Sequence, residues 1–311
     1  MISLIVKVLR WLLKAGLVLA IAIALFAGFQ QWRNSGNTAL LTPPADSLRL
    51  ATYNVHYISV RRETGAWSLG DWERRKTPLD LAFKTVDADA IGFQEMESFS
   101  RGDESQLNLT LDWLLENNPA YAAAAVGDPH IFPSTQPILY RTARLRLVDQ
   151  GWFFFSQTPD VIYSRTFNGS FPAFASWAQF QDRTSGEMFR MVNLHTDYGS
   201  RTNRLSSVAL VARRIAPWIA RGEVVVLTGD LNARHGAQTI DILEEIGLTF
   251  ANIAGSTYHF NHGANLFGAI DHIGFSSGVD LVAPAVVLRQ KFAGEWPTDH
   301  YPVVVDMAFD R

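Results

Sequence analysis

Cysteine is absent from the 311-residue chain. Its absence excludes disulfides, thiolate metal sites and a cysteine nucleophile, and an exported domain of this size can fold without disulfide staples. Also missing are a GxSxG elbow, an HExxH helix and a P-loop. Those gaps argue against serine hydrolases, zincins and nucleotide switches. No repeat of fixed period and no low-complexity tract interrupts the sequence. With 48% hydrophobic and 18% charged residues, the composition is that of a globular protein with a large core.

Charge is missing altogether from Ala15 to Phe29, while Lys7, Arg10 and Lys14 cluster just before that run. About 20 apolar residues cross a bilayer, and Trp11, Leu12 and Leu13, with Lys14 snorkelling, complete the length. We read residues 1–30 as an uncleaved signal anchor. It predicts a single pass through the cell membrane with the rest of the chain outside the cytoplasm, the three basic residues staying inside. The alternative is signal cleavage near Ala22-Ile23-Ala24 and a secreted or periplasmic product. A buried core helix is disfavoured because the segment has no polar face. Removing those three residues from the 27 basic ones leaves 24 against 30 acidic, a formal net charge of −6. Such a body is not expected to bind nucleic acid tightly without sequence preference.

Residues 31–47, polar and carrying Pro43-Pro44, read as a linker. Residues 48–311 read as one domain in which strand and helix signals alternate. Strands are expected over 48–55, 90–94, 224–230, 269–276, 281–288 and 301–309, and a hairpin over 175–195 around a Thr-Ser-Gly turn. Helices are expected over 71–87, 107–118, 201–220 and 237–246. This mixture suggests two mixed, mostly antiparallel sheets packed face to face with helices outside. The aromatic run Trp152-Phe153-Phe154-Phe155 reads as a core strand rather than a membrane-facing loop, since aromatics favour strands.

Polar residues gather where these strands end. They are Asn54 and His56; Gln94-Glu95; Asn193, His195 and Asp197; Asp230 and Asn232; Asp271-His272; and Asp299-His300. Taken singly, each is the usual strand-end turn former. Four of the eight histidines falling at such ends is what the turn explanation does not cover. Side chains at i and i+2 share a face of an extended chain, so Asp230 and Asn232 would point together. Oxygen donors without cysteine suit a hard cation such as Mg²⁺, with Glu95 the natural direct ligand. An Asp-His doublet suits an oriented imidazole base.

In order and rough spacing, TYNVH, GFQEME, NLHTD, TGDLN, IDHIGF and TDHYPV resemble the motifs of the endonuclease/exonuclease/phosphatase superfamily over residues 48–309. The stretches 136–156 and 170–197 resemble its bacterial phosphoesterase branch. The resemblance implies a four-layer α/β sandwich and Mg²⁺- or Mn²⁺-dependent cleavage of phosphate esters, phosphodiesters foremost. It implies that Asn54 lies near the metal, Glu95 ligates it and Asp271 supports its water shell, directly or through His272. It further implies that His195 contacts the scissile phosphate, Asp230 and Asn232 position the water and transition state, and Asp299 orients His300. His300 is left as either base or electrostatic stabiliser. Three positions depart from the pattern: His56 replaces an acidic residue, Gln136 an Asn, and Ala173 an Arg. Arg204, Arg165, His56 and Gln136 are the candidates to bind the phosphate, with Arg165 or Arg204 replacing the lost arginine donor. Two rival readings stay open, an extracellular or periplasmic nuclease and an inactive binding scaffold of the same fold.

Overall fold

The computed structural model of the chain describes residues 2–36, 39–99 and 107–310. Met1 of the apolar segment and residues 37 and 38 of the expected linker lie outside them. Helix α1 (Ile2–Asn34) comes first, four residues longer than the anchor boundary drawn from the sequence. Within Leu4–Asn34 its apolar 18-residue window has mean hydropathy 2.3, and none of that window is packed inside the protein. By length and composition it suits a membrane anchor or a signal segment.

The body follows as β1 (Leu48–Asn54), β2 (Ile58–Ser59), α2 (Leu69–Val86), β3 (Ala90–Gln94), β4 (Ser98–Phe99), α3 (Leu109–Asn117), β5 (Tyr121–Ala124) and β6 (Ile138–Arg141). Then come β7 (Leu145–Phe154), β8 (Phe174–Asp182), β9 (Met188–His195), α4 (Arg201–Ala220), β10 (Val224–Asp230) and α5 (Gln238–Glu244). Last are β11 (Thr249–Phe250), β12 (Asp271–Phe275), β13 (Val279–Leu281), β14 (Val286–Val287) and β15 (Val303–Phe309). The strands form two large mixed sheets. One has the order β13-β15-β1-β3-β6-β5, with β14 also on β15, and the other the order β11-β12-β10-β9-β8-β7.

Period-two alternation explains the layers. In β1 every residue is buried. Leu48 and Leu50 enter the core between the sheets, while Ala51 and Tyr53 pack under α2 with Leu79, Ala82 and Phe83. On the other sheet, Val226 joins the central core, and Val225 and Leu227 pack under α4 with Val208, Val211 and Ile215. The result is the four-layer sandwich of helix, sheet, sheet and helix. Phe153, Phe154 and Phe155 are buried, as a core strand requires.

Toward one end of the sandwich the central layer turns polar. Gln94 Nε2 donates to Asn193 Oδ1 (2.6 Å) and Thr52 Oγ1 (3.0 Å), tying the two sheets together. Gly92 makes room for this layer: a β-carbon there would sit 2.6 Å from Thr228 Oγ1 and 2.9 Å from Asn193 Oδ1. Gln94 and Asn193 are therefore inter-sheet fasteners, fully buried, and they form the floor of the site.

Candidate active site

Asp230 ends β10 at the centre of that polar end and is 1% exposed. Asn54, closing β1 of the opposite sheet, donates Nδ2 to Asp230 Oδ2 (3.1 Å) and to Glu95 Oε1 (3.0 Å). His195 Nε2 lies 3.5 Å from Asp230 Oδ2 and 3.8 Å from Glu95 Oε1. His300 Nε2 lies 3.7 Å from Asp230 Oδ2. Asn232 Nδ2 sits 3.1 Å from His195 Nε2 and donates to Thr196 O (2.9 Å). Asn54, Glu95, His195, Asp230, Asn232 and His300 thus form one group although they come from both sheets.

Asn232 reaches the site by a different route from the one its spacing suggested. The strand stops at Asp230, and Asn232 is left-handed (φ 44°) with its N–H bonded to Asp230 Oδ1 at 2.9 Å. The same device closes β1, where His56 (φ 52°) donates its N–H to Asn54 Oδ1 at 3.1 Å. Glu95, just past β3, is also left-handed (φ 54°). An Asx-type turn, not a continued strand face, aims His56 and Asn232.

Two expectations about the Asp-His doublets need correction. The partner of His300 is Asp271, whose Oδ2 is 2.9 Å from His300 Nδ1. Asp299 instead accepts from its neighbour Thr298 Oγ1 (3.2 Å). His272 is no relay to the centre. It follows Asp271 on β12, so it faces the other side of the sheet, 2.8 Å from Ala233 O and edge-on to Phe250.

The phosphate-binding candidates divide. His56 stands beside the centre, 3.8 Å from Glu95 Oε2 and stacked on Trp67 at 3.5 Å. Gln136 is buried in the floor with Nε2 on Phe174 O (2.6 Å), so it does not face the open side. Arg204 borders a cleft of about 590 Å³ with Arg201, Arg234, Asn232 and Phe267. Its Nη1 braces the loop after β9 through Asp197 O (2.7 Å) and Tyr198 O (2.9 Å). Arg165 is exposed and bonds Gly169 O (3.0 Å) within its own loop. Asp197 is a turn former, accepting from Gly199 N and Ser200 N at 2.7 Å each.

Burial and charge set the protonation of the cluster. Burial opposes a charge on His300, but Asp271, then Asp230 and Asp299, push its imidazole up to about 10. Burial, with Asp271 beside it, raises the Asp230 carboxyl against the pull of His300 and His195. Burial works to raise Glu95 as well, yet His195, His56 and the Asn54 amide hold it below the usual carboxylate range. Burial lowers His56 despite the pull of Glu95.

Sequence reasoning missed several participants. Glu97 lies close enough to Glu95 and His195 to feel their charge, and burial followed by Glu95 raises it to about 7. Tyr258 packs edge-on against His300 with ring centroids 4.9 Å apart. Arg75, fully buried in α2, donates to Val55 O (2.8 Å), Pro297 O (3.2 Å) and His56 O (3.2 Å), clamping the loops after β1 and before β15. Arg75 had a visible signal: it is a charge on the apolar stripe of Trp72, Leu79, Ala82 and Phe83. Glu97 and Tyr258 had none.

A model of the Endonuclease/Exonuclease/phosphatase family matches residues 51–300. The chain belongs to that family. A search among curated proteins finds no match. Among solved structures, a family member from Bacteroides thetaiotaomicron aligns with a TM-score of 0.71 and 26% identity, over 87% of this chain and 100% of its own. A mannosyl-6-phosphatase of the same bacterium aligns at 0.70 and 25%, over 85% and 100%. The human Nocturnin catalytic domain, at 15% identity, shares the fold with a TM-score of 0.60 over 90% and 98%. The protein is a phosphoesterase of this family.

Proposed function

We propose that the protein is a divalent-metal-dependent hydrolase of phosphate esters that acts outside the cytoplasm, with phosphodiesters as its first substrate class. The observation that carries the hydrolase reading is the convergence of Asn54, His195, Asn232 and His300 on the Asp230 carboxylate, with Glu95 hydrogen-bonded to Asn54 beside them; the apolar helix α1 supports the location.

The donors fit a hard cation, Mg²⁺ or Mn²⁺. They are carboxylate and amide oxygens backed by imidazoles, with no thiolate in the chain. Among the described residues Glu95 accepts one hydrogen bond, from Asn54, which leaves lone pairs for coordination. Asp230, Asp271 and His300 also bring possible ligand atoms within 4.8 Å of one another. Because His300 Nδ1 already meets Asp271, we assign the cation to Glu95 and Asn54, bordered by Asp230. Such an ion supplies Lewis-acid neutralisation of the phosphate charge.

The residues divide the remaining work. Asp230, raised by its surroundings, takes the proton of the attacking water, and Asn232 and His195 hold a phosphate oxygen. His300 stays charged across the neutral range, so it serves as a cationic donor to the developing charge rather than as the base. Asp271 orients it. A second reading, a phosphomonoesterase on a sugar phosphate, is favoured by the likeness to the mannosyl-6-phosphatase. Assay of the purified chain on bis(p-nitrophenyl) phosphate and p-nitrophenyl phosphate decides between them. Activity on the diester that chelation abolishes and Mg²⁺ restores is expected. Activity on the monoester alone would select the second reading, and activity surviving chelation would remove the metal.

A further inference from the structure

The carboxyl-terminal turn of α1 is bonded to the rim of the site. Gln31 accepts from Asn265 N (2.6 Å) and donates to Gly263 O (3.0 Å), and Gln30 donates to Leu266 O (3.2 Å). Asn34 O accepts from Ser256 N (3.1 Å). The loop that receives these bonds leads into Asp271 at the start of β12, and its Tyr258 packs on His300. From Leu4 to Phe26 every α1 residue is exposed, so the helix leaves the body at this end.

The aromatic residues of α1 mark how far a bilayer would reach. Trp11 stands near one end, and Phe29 and Trp32 near the other. Twenty-one residues of helix rise about 31 Å, close to the roughly 30 Å of hydrocarbon, and Trp prefers the two interfaces. With Trp32 at the outer interface, Gln31 and the loop bonded to it stand at headgroup level.

Two aromatic side chains project into solvent at the Asp230 end of the sandwich. Phe171 is 89% exposed and Tyr198 85%. Phe171 lies in the loop entering β8 and Tyr198 in the loop leaving β9, both at the Asp230 end because Ala175 pairs with Leu194 and Asp230 with His195. Between the centre and α1 lies the cleft of Arg201, Arg204 and Arg234. Arg234 also lines the hollow beside Gln30 and Asn34. A group reaching from the bilayer to Asn232 would pass these cations.

We propose that the mouth of the site rests on the bilayer that α1 enters, and that its substrate is the phosphoester of an anionic lipid headgroup. The proposal rests on the phosphoesterase and anchor readings above, and adds where the substrate is met. Confinement of enzyme and substrate to one surface raises their effective concentration.

The test uses the whole chain, reconstituted with Mg²⁺ in phosphatidylcholine vesicles carrying phosphatidylglycerol or phosphatidic acid. Because the chain has no cysteine, single cysteines at Phe171, Tyr198 and Val148 can each carry one fluorophore. Val148 lies toward the opposite end of β7. Quenching by nitroxide lipids at the first two positions and not at Val148 is expected. Quenching at Val148 alone, or at none of the three, overturns the geometry. The embedded lipids should be hydrolysed about tenfold faster than glycerophosphoglycerol or glycerol 3-phosphate at equal bulk concentration. Phe171→Ser with Tyr198→Ser should remove that advantage and leave the soluble esters unaffected. Equal rates on embedded and soluble esters overturn the lipid assignment while leaving the phosphoesterase standing. Hydrolysis of neither class, nor of bis(p-nitrophenyl) phosphate, defeats the phosphoesterase reading itself, and the quenching then still decides the geometry.

Discussion

The two sheets meet at the site with the same local topology. In one, β1 lies between parallel β3 and antiparallel β15; in the other, β10 lies between parallel β9 and antiparallel β12. Each central strand ends in an Asx-type turn with a left-handed residue two positions on, His56 in one and Asn232 in the other. Each antiparallel neighbour has an Asp-His doublet at or just before its start. The chemistry on the two frames differs. The first sheet supplies Asn54 and Glu95, a polar pair suited to a cation. The second supplies Asp230, Asn232 and His195, suited to water and phosphate. The doublets differ too: on the first sheet the histidine, His300, faces the centre, and on the second the aspartate, Asp271, does. Those two inward members bond each other across the sheets at 2.9 Å. A repeated backbone device thus holds complementary halves of one candidate site.

The sharpest test of this comparison is to remove the inward histidine and then the outward one. His300→Ala and Asp230→Asn should each lower kcat by about 10²–10³ with KM little changed, as for groups acting mainly in the transition state. Combined, they should cost less than the product of the single effects, because both act on one phosphorus centre. His272→Ala should leave kcat per folded molecule unchanged. Equal losses from the two histidines would break the distinction between the sheets.

Next in size is the division between cation and water. Glu95→Gln should raise the Mg²⁺ needed for half-maximal rate on the order of 10–100-fold, whereas Asp230→Asn should stay impaired at saturating Mg²⁺. A metal titration of both variants measures this, and identical curves would merge the two roles.

The two aspartates of the doublets give a smaller effect. With Asp271 as the partner that raises His300, the imidazolium persists in the wild type until pH approaches about 10. Asp271→Asn removes the first carboxylate holding that charge, so the alkaline limb of the pH–rate profile should move down by roughly 1–3 units. Asp299→Asn should move it less. A larger shift from Asp299 would return the orienting role to the chain neighbour.

The smallest effect concerns stability away from the chemistry. Burial lowers His259 to about 3, between Trp296 and Tyr301. The unfolded chain, with an ordinary histidine near 6.5, binds a proton that the folded chain refuses. The contribution is therefore intact above pH 6.5 and lost as pH falls toward 3, by up to about 1.4 kcal/mol per unit. His259→Asn, which keeps an acceptor for Gly263 N–H, should flatten the acid side of a denaturant-derived stability profile by up to that slope.

By itself the sequence marked the main strands and helices and most of the residues that the fold brings together at the candidate site. It did not mark the short strands β2, β4, β5, β6 and β11, and residues 281–288 hold the end of β13 and the two-residue β14 rather than one strand. Alternation and apolar runs marked β1, β3, β10 and α4 because those periods follow from local backbone geometry and from burial on both faces. Asn54, Glu95, His195, Asp230, Asn232 and His300 were legible as polar residues closing apolar strands, a pattern that the fold's central layer imposes. The tertiary structure decided who partners whom. Asp271 and His300 are 29 residues apart, and nothing local to either names the other. Which member of an Asp-His pair faces inward depends on strand register, where a shift of one residue reverses the face. Asp299 adjoins His300 in the chain, and the sequence therefore pointed to the wrong carboxylate. Glu97, Tyr258 and the clamp made by Arg75 likewise arise only when loops from both ends of the chain close over one centre, since burial and neighbouring charge belong to the folded molecule and not to the motif.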